Sequence, residues 1–312
     1  MTYSAKSDAA GTINQFTRRK DIKITTGGTS TPANYQVKVT VAYEPAMQST
    51  FADIRFNTKA GNYIDYWIES KTDGVTADVW LELPDAIADP GSDTIWMYYG
   101  NPALSDGGNG VNTFIDFWNA EEAAQLDDWP AAATYTQVQR SATQARQGTY
   151  SFIESATGDF SEHVETYELG KRYVIYFYDD ATITTKSGLI LLGGSGDDYI
   201  ILGVKYDTST TKYSINVGAA AVATIVSRTT GWHKFEIVEA SGANNVMVLI
   251  DDIQVATTTH TSSILQIKIG DVWNHGAGPF YFDDIFVSNY IANEPTAAVG
   301  TAQHQRRVPT FL

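Results

Sequence analysis

Tyr35-Gln36-Val37-Lys38-Val39-Thr40-Val41 alternates apolar and polar side chains. A period of two puts Tyr35, Val37, Val39 and Val41 on one face and Gln36, Lys38 and Thr40 on the other, the pattern of a half-buried β-strand. The same period recurs outward along the chain. Val79, Leu81 and Leu83 share a face opposite Trp80 and Glu82, and Leu265, Ile267 and Ile269 alternate with Gln266 and Lys268. Other runs are apolar throughout: Tyr173–Tyr178, Leu189–Leu192, Tyr199–Val204 and Val246–Ile250. Such runs fit strands inside a sandwich, with apolar groups on both faces. Turn-forming clusters separate them, among them Thr26-Gly27-Gly28-Thr29, Asp73-Gly74, 193–198, 207–212 and Gly242-Ala243-Asn244-Asn245. Strands at intervals of about 8–12 residues with turns between them indicate a sandwich or jelly roll. The one helix candidate is Asn119–Asp127, rich in Ala, Glu and Gln, and a loop fits it equally.

A chain of 312 residues holds two ordinary domains or one large sandwich. Hydrophobic residues make up 43% and charged residues only 18%, the profile of a turn-rich β protein and not of a coiled coil or a disordered chain. The net charge of −15 opposes a phosphate backbone, so no nucleic-acid partner is expected. The basic residues gather at the ends. Lys6, Arg18, Arg19, Lys20 and Lys23 open the chain and Arg306 and Arg307 close it. Basic arms on an acidic body point to docking on a neighbouring copy or another acidic partner; two solvated tails are the plainer reading. The absence of cysteine excludes disulfides and thiolate-held metals. No run approaches the ~20 apolar residues that span a bilayer, so no membrane insertion is expected. The start of the chain has no apolar core of a signal peptide and no small-residue cleavage site. Either such a signal was removed or none existed, and Met1 favours the second. Three glycines within Ser105–Asn112 cannot bury area, so a boundary between two cores is expected there.

Several motifs carry a resemblance. Asn34-Tyr35-Gln36-Val37, Asp53-Ile54-Arg55-Phe56, Tyr66-Trp67-Ile68-Glu69-Ser70, Ala77-Asp78-Val79-Trp80 and Trp96-Met97-Tyr98-Tyr99-Gly100-Asn101-Pro102 stand in order. Through them, residues ~16–105 resemble domain of unknown function 2341, which implies a small β-sandwich in an extracellular setting. Residues ~113–300 resemble a concanavalin A-like, laminin-G-like jelly roll. Its carriers are Phe114-Ile115-Asp116-Phe117, Gln147-Gly148-Thr149-Tyr150-Ser151, Gly231-Trp232-His233-Lys234-Phe235, Val248-Leu249-Ile250-Asp251 and the run 280–287. The expected fold is therefore all-β, with two β-sandwich modules in series, the second a concanavalin A-like jelly roll. Residues 1–15 are an N-terminal arm, 16–108 the first module, 109–300 the jelly roll and 301–312 a tail.

The candidate sites follow. Asp53 and Arg55 share a strand face, fit to pair with each other or to hold a loop backbone. Tyr66, Trp67 and Glu69 can form a sugar platform, though alternating aromatics in a sandwich are more often core. Trp273, Asn274 and His275 occupy a glycine-bearing loop where the indole can stack on a ligand and the other two hydrogen-bond to it; the alternative is that Trp273 plugs the sandwich. In jelly rolls of this kind, carboxylates from the first and last strands hold a structural Ca²⁺. The resemblance makes Asp116, Glu121 and Asp284 the candidate ligands, and calcium needs six to eight oxygens. Ile115 replaces one of the paired acids at the start of that pattern. The alternative is that these acids cap turns or face water. The acidic turn Gly196-Asp197-Asp198 is a further cation candidate or a solvated turn. No organic cofactor is expected. No spaced carboxylate string, nucleophile elbow, phosphate loop or zinc helix is present, so no catalytic residue is named.

The function expected is a non-enzymatic surface protein with a lectin-like module. A virion component (tail, spike or turret) used for assembly and for adhesion to host glycan leads, since virus proteins assemble without export. A secreted or cell-surface carbohydrate-binding protein is the alternative, and a glycan-active hydrolase or lyase the third.

Overall fold

The computed structural model describes residues 15–131, 135–155, 159–183, 189–193, 199–217, 220–240, 246–259, 263–271 and 278–304. The chain divides into two compact units: residues 1–115 together with 293–312, and residues 116–292.

The first unit opens with β1 (Arg18–Thr25), β2 (Tyr35–Ala42), β3 (Arg55–Thr58), β4 (Tyr63–Ile64), β5 (Tyr66–Thr72), β6 (Thr76–Leu83) and β7 (Ser92–Tyr99). The second holds β8 (Asp116–Trp118), β9 (Gln139–Ser141), β10 (Ser151–Glu154), β11 (Phe160–His163), β12 (Lys171–Asp179), β13 (Leu189–Gly193) and β14 (Tyr199–Gly203). It continues with β15 (Lys212–Val217), β16 (Val222–Ser227), β17 (Gly231–Glu239), β18 (Val246–Ile250), β19 (Ile253–Thr258), β20 (Gln266–Gly270) and β21 (Phe280–Asn289). The chain then returns to the first unit with β22 (Thr296–Val299) and β23 (Gln303–His304).

In the first unit, β2, β6 and β5 form a three-stranded sheet against a sheet ordered β22-β1-β7-β3-β4, with β23 also on β1. The alternation in β2 does what the sequence requires: Tyr35, Val37, Val39 and Val41 are buried while Lys38 and Thr40 are exposed. Each such aliphatic or aromatic side chain removed from water contributes roughly 1.5–3 kcal/mol. Val37, Val39 and Val41 meet Ile22 and Ile24 of β1 and Met97 and Tyr99 of β7 in one core.

Two expectations change here. Residues 293–300, read as the end of the jelly roll, instead supply β22, whose Val299 to Thr296 pair antiparallel with Ile22 to Thr25. The second unit is thus inserted into the first. Arg18, Arg19, Lys20 and Lys23, read as part of a basic terminus, stand in β1. Arg18 contacts His304 Nδ1 at 2.8 Å, Arg19 lies 4.0 Å over the Trp96 ring, and Lys20 pairs with Glu44 at 2.5 Å. Lys6, Arg306 and Arg307 lie outside the described residues. Helical segments among the described residues include Gly110–Thr113 and a 3-10 segment at Ala123–Asp128, which overlaps the helix candidate at 119–127.

The second unit is a two-sheet sandwich. One sheet runs β19-β18-β17-β12-β21-β10-β9, with β8 also on β21; the other runs β11-β20-β13-β14-β15-β16. Between them lies an aromatic core in which Phe177 stacks on Phe235 and Phe280 at centroid distances of 5.1 and 5.2 Å. This second core is separate from the first, so the chain is all-β with two β-sandwich units.

Candidate functional site

In the first unit, Asp53 and Arg55 each grip backbone. Asp53 is fully buried and its carboxylate accepts from the N–H groups of Gln48 (2.9 Å), Gly100 (2.7 Å) and Asn101 (3.0 Å). Gly100 adopts φ +85°, a left-handed conformation that suits glycine and turns those two amides onto the carboxylate. Arg55 donates to the carbonyls of Ala52, Ile54 and Ser105 and to the Tyr66 hydroxyl. Three of the family-like motifs are therefore joined, 53–56 to 66–70 and to 96–102, which explains these residue types without a ligand.

Tyr66, Trp67 and Glu69 do not form a sugar platform. Tyr66 is fully buried, with its hydroxyl donating to Ile54 O at 2.9 Å and burial holding its phenol far above the usual value. Trp67 packs edge-on against Phe114 at 5.6 Å, and Glu69 pairs with Lys38 at 2.5 Å. All three are nearly inaccessible, and a buried ring has no face to offer a pyranose.

The second unit places a different aromatic set outward. In β17, His233 and Phe235 point to the core, so Trp232 and Lys234 face away from it. In β12, Phe177 is core and Tyr178 is not; in β21, Phe282 is core and Tyr281 lies opposite. The register aligns these residues. Tyr178 is the partner of both Trp232 and Tyr281, Tyr281 of Ile153, and Ile153 of Gln139. A row Trp232–Tyr178–Tyr281–Ile153–Gln139 therefore crosses five strands on the outer face of the sheet. Trp232 to Tyr281 spans two strand spacings, about 10 Å. Trp232 and Tyr178 are half-buried, and Tyr281 is more deeply set. Edge-to-face contacts at 5.5 and 5.9 Å fix the three rings.

A polar cluster lies one row further along. Tyr176 is the partner of Lys234 and of Asp283. Between Val174 and Tyr176 the pairing with β21 slips, and Asp284 takes φ +45°. This bulge turns two consecutive aspartates, which a regular strand would aim at opposite faces, onto the same segment. Asp283 accepts from the Arg146 N–H at 2.8 Å, and Asp284 pairs with the Arg146 guanidinium at 2.6 Å. That guanidinium also lies 3.5 Å over the Tyr176 ring. Burial, and then the Asp284 charge, push the Asp283 carboxyl well above the usual carboxylate range, against three backbone N–H bonds.

Residues 50–132 match the family described as domain of unknown function, DUF2341. The match begins within the first unit and runs past Ile115 into the second. No curated protein matches the chain. Similar solved structures include the Crh5 transglycosylase in complex with NAG, at 20% identity, with 57% of this chain and 84% of that one covered and a TM-score of 0.39. The carbohydrate binding module CBM66 from Bacillus subtilis is 13% identical over 51% of this chain and all of its own (100%), with a TM-score of 0.30. The galectin LEC-6 of Caenorhabditis elegans is 13% identical over 45% of this chain and 96% of its own, with a TM-score of 0.31. The sheets described above carry the β-sandwich assignment; these likenesses add nothing about ligands.

The three acids expected to hold calcium are not brought together. Asp116 accepts from the Tyr167 hydroxyl at 2.7 Å. Glu121 accepts from the amides of Thr149 and Tyr150, both at 2.7 Å. Asp284 is held by Arg146. Asp116 is the partner of Val287, three positions from Asp284 and so about 10 Å along the strand. Among the described residues no three ligating side chains cluster as a metal would require. The groups converging on Asp283 and Asp284 are N–H donors and a guanidinium, whereas calcium needs oxygens. The donor set does not fit the ion, and Arg146 already brings positive charge to these carboxylates.

Trp273, Asn274, His275 and the turn 196–198 lie outside the described residues. The row of Trp232, Tyr178 and Tyr281 was missed in the sequence, although the signal was there. Once Phe235 is placed in the core, a period of two turns Trp232 outward.

Proposed function

We propose that the protein is a non-enzymatic surface protein that binds glycan on the outer face of its second unit. The observation carrying this reading is the row of Trp232, Tyr178 and Tyr281. Trp232 and Tyr178 keep ring surface in solvent and the buried Tyr281 braces them by edge-to-face packing; rings held rigid in this way suit the apolar face of a pyranose at little entropic cost. Half-buried Lys234 follows Trp232 on the same strand face and pairs with the exposed Asp252, and both can exchange hydrogen bonds with sugar hydroxyls.

The non-enzymatic reading is supported by how the nearby carboxylates are used. Glycoside hydrolysis needs two carboxyl groups facing one bond. Here Asp283 and Asp284 are buried on Arg146, and Glu236 is paired with Arg172 at 2.7 Å. Display on a virion and display on a cell surface both agree with glycan adhesion, and an extracellular or virion-surface location goes with either. Among the described residues no helix is long and apolar enough to cross a membrane.

The test is a glycan array on the full chain and on Trp232→Ala. Glycan binding that is lost in the variant is expected. Binding unaffected by the change would place the site elsewhere.

A further inference from the structure

We infer that the ligand of the aromatic row is an uncharged glycan, and that chains carrying sialic acid, uronic acid or sulfate are disfavoured. The inference rests on the glycan reading of Trp232, Tyr178 and Tyr281 and adds the chemical class.

The charges around the row carry it. Two cations stand beside the row in the described residues, and each already faces carboxylates. Lys234 contacts both Asp252 and Glu236, the latter at 3.4 Å. Arg146 is held on Asp284 at 2.6 Å while its face covers Tyr176. Further along the same sheet face, Arg172 is held on Glu236. Recognition of a carboxylate or sulfate uses an arginine fork or a lysine turned toward the ligand, and these are turned toward the protein's own acids.

The acids, by contrast, reach solvent. Asp252 is 78% exposed at its side chain and Asp251 40%. Asp251 turns its carboxylate to His233 and the Lys234 N–H, whereas Asp252, in the same β18–β19 turn, faces solvent while it pairs with Lys234. Asp180, two residues beyond Tyr178, is half-buried and already accepts from Thr182. The rim of the row is therefore acidic on a protein whose net charge is −15. Carboxylates accept from sugar hydroxyls, and they oppose an anionic sugar in the same position.

The experiment is titration calorimetry of the full chain at low and physiological salt. It uses neutral gluco-, manno- and galacto-oligosaccharides and size-matched oligosaccharides bearing uronate, sialic acid or sulfate. Trp232→Ala tests the site, and Trp232→Phe, which keeps a ring, controls for folding. Neutral chains are expected to bind at least about ten-fold more tightly than their acidic counterparts at low salt, the gap narrowing as salt screens the rim. Binding is expected to fall in Trp232→Ala and be largely kept in Trp232→Phe. Tighter binding of acidic chains that still depends on Trp232 would overturn the charge inference and leave the glycan reading standing. Glycan binding indifferent to Trp232 would place the site elsewhere and overturn this inference with it, and no binding of either set at millimolar concentration would overturn the glycan reading itself.

Discussion

Replacing Arg146 with alanine removes the guanidinium that pairs with Asp284 in the buried Asp283–Asp284 pair. The structure allows its cost to be worked out. The ion pair to Asp284 is nearly closed to solvent, with side-chain exposures of 12% and 1%. Removing one partner of such a pair costs about 3–5 kcal/mol, because the other charge is left buried. The lost stacking over Tyr176, at 3.5 Å, adds about 1 kcal/mol. For a unit the size of residues 116–292, a loss of about 4–6 kcal/mol lowers the melting temperature by roughly 8–24 °C. Differential scanning calorimetry of the full chain reads this directly, since the transition of the second unit should move and that of the first should not. Arg146→Leu combined with Asp284→Leu should cost less than the two single changes together, by about 1–3 kcal/mol. Because the guanidinium holds these carboxylates, neither calcium nor a chelator should move the wild-type midpoint. A loss under about 1 kcal/mol in Arg146→Ala, or a wild-type midpoint that rises by several degrees with calcium, would refute the reasoning.

Other outcomes follow from the same contacts. Asp53→Ala strands two buried backbone N–H groups and a partly buried third and should cost the first unit about 3 kcal/mol or more, read by chemical denaturation. Deleting residues 293–312 strips β22 from β1 and should destabilise the first unit while leaving the second folded, read by limited proteolysis with mass spectrometry. His233 contacts Asp251 at 2.6 Å and the Thr229 carbonyl at 2.9 Å. Burial opposes the imidazolium, but these two partners outweigh it and raise the His233 pKa, while Asp251 is lowered, burial being outweighed by its bonds to His233 and Lys234. The raised histidine stabilises fully below its unfolded value of about 6.5 and loses this as pH rises through the folded value. The lowered aspartate stabilises above about 4 and loses this as pH falls. The pair therefore contributes most between about pH 4 and 6.5, and His233→Gln should flatten the melting temperature against pH above that window.

The strands were legible because the chain repeats one local rule. Tyr35–Val41 and Val79–Leu83 bury the residues their alternation selects, and Ile267 and Ile269 are buried while Leu265, one residue before β20, is 38% exposed. The insertion of the second unit was not legible. Thr296-Ala297-Ala298-Val299 is short and uncharged, and its partner lies far away in the chain, so no local signal names β1. Nor could the sequence show that Asp284 sits in a bulge, since φ +45° in a non-glycine residue is imposed by the surrounding sheet. That bulge turned an expected metal ligand into an arginine partner. Tyr66 and Trp67 read as a platform because aromatic spacing alone does not say which face of a strand is covered; the packing of Phe114 on Trp67 settles it. Trp232 was recoverable, had the parity of its strand been carried through from Phe235.

The most direct test is to follow the tryptophan indole N–H resonances by NMR during titration with a neutral oligosaccharide. The chain has seven tryptophans, and Trp232→Phe identifies the one that matters. The resonance of Trp232 should shift in proportion to occupancy while those of the buried Trp67, Trp80 and Trp129 stay still. Shifts confined to Trp67 and Trp80 would put recognition on the first unit and contradict the account.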